Sequence, residues 1–133
     1  MNLLRRISIP FAVKTLLLIS TIALVFHIFI LTGLIPYQYV WGGRLESKDQ
    51  MIQFESVSLI VNVFIIIIVA MKGAYLKPAL PNKLVRVFLW IFTIMFGLNT
   101  IGNLVSLNSL EAIIATPITL VLAIMLLRLA VHK

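Results

Sequence analysis

The sequence predicts an all-α fold: an antiparallel four-helix bundle that crosses a membrane four times, with both termini in the cytoplasm. Three observations carry this reading. Four apolar runs occupy most of the 133 residues, and each is long enough to cross a hydrocarbon core ~30 Å thick at ~1.5 Å per helical residue. The composition, 62% hydrophobic with a mean hydropathy of +1.14, is too apolar for a soluble domain of this size. The charges are also sorted. All four acids (Glu46, Asp49, Glu55, Glu111) fall at one end of the pattern with only Arg44 and Lys48. Nine of the eleven Lys and Arg fall at the other: Arg5, Arg6, Lys14, Lys72, Lys77, Lys83, Arg86, Arg128 and Lys133. Positive residues stay on the cytoplasmic side, so the acidic end faces out.

The first helix is expected from about Phe11 to Ile35, where Gly33 and Pro36 end it. The uncharged run Thr15–Ile35 is longer than a signal-peptide core, and no Ala-x-Ala pattern follows it. Gly42-Gly43 reads as a turn. Ser47-Lys-Asp-Gln50 has capping-box spacing, which starts the second helix at Lys48 and carries it to about Tyr75. Pro78 and Pro81 mark a short basic loop, and Asn82 is the expected N-cap of a third helix over Lys83–Leu107. Asn108-Ser109 is a tight turn before a fourth helix over Leu110–Val131, bent at Pro117. The whole chain is one domain.

The net charge of +7 does not point to nucleic acid, because the cations sit beside helix ends and are not interleaved with aromatic residues. The partner implied is the lipid bilayer, and the localisation is a bacterial inner membrane. With no Cys, disulfides and thiolate chemistry are excluded. His27 and His132 fall at opposite faces, so no metal site is expected and no cofactor motif is present.

Helix rise turns sequence positions into depths. Below the acidic end, Asn62 comes out about 15 Å deep, Thr116 about 12 Å, Asn99 about 10 Å, and Asn103 and Glu55 about 5 Å. Measured from Ile35, His27 is about 12 Å deep. Polar groups in lipid turn inward, so these residues are expected to line an outward-facing cavity above a dry apolar plug. Trp41 and Arg44 would stand at its mouth, with the guanidinium suited to an anionic head group. Simpler readings stand beside this one. Asn and Thr hydrogen-bond across helices at about 0.6 kcal/mol each to specify packing. Tyr37, Tyr39 and Trp41 suit an interfacial aromatic belt, and Glu55 could reach the interface.

Ile35-Pro-Tyr-Gln-Tyr-Val-Trp-Gly-Gly-Arg-Leu45, with Phe54-Glu55 after it, resembles a group of small bacterial four-helix membrane proteins without an assigned activity. That resemblance implies topology alone. A more distant likeness is to the emopamil-binding-protein superfamily of sterol isomerases and sigma-type receptors, through Glu55 and the mid-helix Pro117. It implies an embedded acid facing a lipid-accessible pocket, although the second buried acid of that superfamily has no counterpart here.

The function expected is binding or passage of a small polar or amphipathic ligand from the outer side. His27, Glu55, Asn62, Asn99, Asn103, Thr116, Trp41 and Arg44 form the candidate site. A structural or regulatory subunit is the alternative, and a lipid-modifying isomerase or hydrolase is third. Enzyme chemistry has little support, since no nucleophile is placed beside a base. A channel would require a homo-oligomer.

Overall fold

The computed structural model describes residues 2–132, so Lys133 lies outside the described residues. Regular structure among them is helical: α1 (Asn2–Arg5), α2 (Ile9–Leu31), α3 (Lys48–Lys72), α4 (Asn82–Leu104) and α5 (Ser109–Val131). Two 3-10 turns, Tyr37–Tyr39 and Trp41–Gly43, fill the α2–α3 connection. Helices α2 to α5 are each long and apolar enough to cross a membrane, and the chain is an integral multi-pass membrane protein.

Local chemistry explains each start. Ser8 accepts a hydrogen bond from the Phe11 amide, and Pro10 sits in the first turn of α2, where a missing N–H costs nothing. Ser47 accepts from the Gln50 amide, while the Gln50 side chain turns back to the Glu46 amide, one residue before the cap, so the box expected there is shifted by one position. Asn108 accepts from the Leu110 and Glu111 amides at the start of α5. Asn82, expected as a cap, is instead the first helical residue of α4, behind Pro81, which makes no side-chain cap bond.

The ends differ more. α2 stops at Leu31, four residues before Ile35, because Gly33 turns left-handed at φ +85. α3 stops at Lys72, and Ala74 takes the left-handed position at φ +63. α4 stops at Leu104, short of Leu107, because the Leu107 amide leaves the helix to donate to the Gly42 carbonyl at 3.0 Å. Pro117 lies inside α5, where it removes the amide that the Ile113 carbonyl would otherwise accept.

The four long helices pack as two pairs, α2 with α3 and α4 with α5. One apolar cluster joins the pairs. It takes Ala12, Val13 and Leu16 from α2, Ile65, Ile68 and Val69 from α3, Val85, Leu89 and Phe92 from α4, and Leu122, Leu126 and Leu129 from α5. Phe64 stands edge-on to Phe88 and Phe92 across the α3–α4 contact, with ring centroids 4.8 and 5.8 Å away. Every member lies in the half of its helix nearer the basic residues, where the dry plug was expected. There Lys72 Nζ donates to the His132 carbonyl (2.9 Å), Arg86 Nε to Ala130 (3.4 Å) and Arg128 Nε to Ile7 (2.7 Å). A second cluster at the acidic end (Ile30, Val40, Leu45, Met51) involves α2, α3 and their loop, with no residue from α4 or α5.

Candidate functional site

The loop after α2 builds the acidic end. Trp41, Gly42 and Gly43 are successive left-handed residues, at φ +57, +69 and +72. Two glycines make this cheap, but for Trp41 the conformation costs about 1–2 kcal/mol. Its side chain is held in return: Nε1–H donates to Glu55 Oε1 at 2.7 Å, and the indole lies 5.3 Å from the Phe54 ring. Gly42 is held from the other helix pair. Its amide donates to Glu111 Oε2 at 2.8 Å and its carbonyl accepts from Leu107. Arg44 folds back over Gly42, where a Cβ would stand 2.9 Å from its Nη1, and its Nη2 reaches toward the Val105 carbonyl at 3.4 Å. One loop is thus fastened to carboxylates on α3 and α5.

Glu55 is fully buried, and its second oxygen meets His27 Nδ1 at 2.5 Å. This contact fixes the ring orientation, with Nδ1 as the donor when Glu55 is a carboxylate. Nε2 has no hydrogen-bond partner among the described residues, and the His27 side chain remains 23% exposed. The depth reading for His27 needs correction. Counted from Leu31 instead of Ile35, it lies about 6 Å below the helix end, level with Glu55.

The other predicted residues do not gather around this group. Asn62 is buried and donates to the Ser20 carbonyl at 2.8 Å, which joins α3 to α2. Asn103 donates to Thr119 Oγ1 (3.2 Å), as does Thr100 (3.1 Å), which joins α4 to α5. Thr116 Oγ1 is buried without a hydrogen bond. Asn99 is exposed on α4, and its side chain makes no hydrogen bond among the described residues. The polar groups that pair do so within a helix pair, because the adjacent helix offers the nearest donor or acceptor where no water competes. An open depression of ≈420 Å³ lies beside the loop, lined by Gln38, Tyr39, Gly43, Leu107, Asn108 and Ser109, and none of the predicted site residues lines it.

Residue patterns did not single out Glu111 or Ser20. For Glu111 a signal existed and pointed elsewhere. Asn108-Ser-Leu-Glu111 has capping-box spacing, which reads as a local contact. Ser106 Oγ instead accepts from the Asn108 amide and donates to Glu111 Oε2 at 2.8 Å, leaving that carboxylate free to reach Gly42. Among the described residues no group of three or more His, Asp or Glu is placed to hold a metal ion. No family model, curated protein or solved structure matches the chain.

Proposed function

We propose that the protein crosses a bacterial inner membrane as an antiparallel four-helix bundle with cytoplasmic termini, and binds a small polar or amphipathic ligand from the outer side at His27. The charge sorting supports the orientation, since the end with Arg5, Arg6, Lys77 and Lys83 contains no acid. One observation carries the binding reading. The imidazole is oriented by a fully buried carboxylate, yet its Nε2 is left without a partner among the described residues while the side chain stays 23% exposed. An unsatisfied polar nitrogen at that depth is costly, and a hydroxyl or amine of a ligand head group would satisfy it. Glu55 and Trp41 then act as positioning residues, and Asn62 and Asn103 set helix packing.

Native mass spectrometry of the purified full chain tests this. A retained small molecule is expected in the wild type and in Asn99→Ala, and its loss is expected in His27→Ala. A specific observation also favours the structural-subunit reading: both oxygens of Glu55 are already occupied within the chain. Absence of any retained molecule, or retention independent of His27, would decide for that second reading.

A further inference from the structure

The basic end contains a cavity of ≈340 Å³ between the start of α2, the end of α3 and the start of α4. Ile9, Met71 and Leu80 give it apolar walls, and Lys72, Asn82 and His132 give it polar ones. Lys72 is no free surface lysine. Its ammonium is folded back onto the His132 carbonyl, which uses one of three N–H donors. Arg86 and Arg128 likewise commit only Nε–H among the described residues, each to one backbone carbonyl. The Lys72 and Arg86 contacts cap the end of α5 favourably, and the Arg128 contact ties it to the segment before α2, but none of them neutralises a charge.

Among the described residues no acidic side chain stands near enough to neutralise it. Glu55, the last acid on α3, is 17 residues from Lys72, about 25 Å along the helix, and the other acids share its end. The one contact among the described residues between an acidic and a basic side chain is His27–Glu55. We propose that this cavity binds a phosphate group carried by an anionic phospholipid, with the phosphate on Lys72 and an acyl chain along Ile9, Met71 and Leu80. Basic recesses between membrane helices suit such head groups, and the mixed lining suits a lipid better than a fully hydrated ion. His132 reports on the vacant charge balance: burial, then the Lys72 and Arg128 charges, hold its imidazole below the ordinary range.

The test uses the full chain in phosphatidylcholine nanodiscs doped with phosphatidylglycerol. Native mass spectrometry counts the anionic lipid retained, and NMR follows the His132 titration. The wild type is expected to keep one phosphatidylglycerol and to raise the His132 midpoint when that lipid is present. Lys72→Gln is expected to lower retention about fivefold, the value of one cation near an anionic surface. Lys14→Gln, which removes the same charge from an exposed position, should leave retention unchanged. Leu80→Trp keeps every charge and fills the cavity, so it should also release the lipid, which guards against Lys72→Gln failing to fold. Equal losses in Lys72→Gln and Lys14→Gln, or no retention by the wild type, overturn the proposal. Binding of inorganic phosphate that depends on Lys72 and displaces the lipid would support the phosphate site and assign it to a soluble anion.

Discussion

At the scale of single residues, conformation and hydrogen bonding trade against each other at Trp41. Its left-handed backbone is unfavourable for a large side chain, and its indole N–H closes the valence of a buried carboxylate. Trp41→Phe keeps the ring on Phe54 and deletes the donor. A loss of about 1–3 kcal/mol is expected from the exposed need of Glu55 Oε1, read from thermal unfolding in detergent. The loss should shrink in a Glu55→Gln background, where no carboxylate remains to satisfy. Ala74 offers the opposite case. It is exposed, at φ +63, with no compensating bond from its side chain, so Ala74→Gly is expected to stabilise by about 1 kcal/mol. His132 adds a pH dependence. Its folded-state midpoint is lowered by burial and then by Lys72 and Arg128, so the unfolded chain binds the proton more readily. Its contribution to stability is therefore present above the unfolded value of ~6.5 and is lost as pH falls through and below it. Unfolding midpoints measured from pH 8 to 5 should fall less steeply in His132→Gln than in the wild type.

Among the elements, Gly73 shows how a helix end can be set by packing instead of dihedral freedom. Its φ is ordinary for any residue, but a Cβ would sit 2.5 Å from Val13 Cγ1, where α2 crosses the end of α3. Gly73→Ala is expected to cost about 1–3 kcal/mol by overpacking, and Val13→Ala in the same chain should restore much of it by making room for the methyl. Reversal of that rescue, with the double variant less stable than either single one, would mean the two residues do not touch. The start of α3 was legible because Ser47 caps it through a bond three residues long, while Ser8 and Asn108 cap α2 and α5 close to their expected starts and Asn82 proved not to cap α4. The ends were less so. The close of α4 is decided by Gly42, 65 residues earlier in the chain, which takes the Leu107 amide. The same limit applied to the site. Glu55 and His27 were identifiable as polar residues in apolar runs, but their contact depended on where α2 ends, and periodicity is least informative at ends. Asn99 looked equivalent to Asn103 by spacing, yet one rotates onto Thr119 and the other faces outward.

For the whole molecule, the apolar pattern was enough to give four spans, and the proposed orientation rests on the sorting of the cations. In a chain without Cys, Glu46→Cys should react with an impermeant maleimide in intact cells, and Lys77→Cys only after permeabilisation. The opposite labelling would reverse the orientation and place His27 on the cytoplasmic side. Hairpin-by-hairpin packing was not legible, because hydropathy marks which residues avoid water and leaves open which helix each one meets.

The uneven placement of the two fastenings has a mechanical consequence. The joint between the helix pairs is a many-atom apolar contact at the basic end, while the described hydrogen bonds joining them at the acidic end all run through the loop from Trp41 to Arg44. A body pinned at one end and clasped at the other has one soft mode, a scissor-like spreading about the pin. Releasing the clasp sets the amides of Gly42 and Leu107 free in a single event. A slit would then open sideways into the leaflet at the acidic end, so any molecule entering by that route would arrive from lipid and not from water.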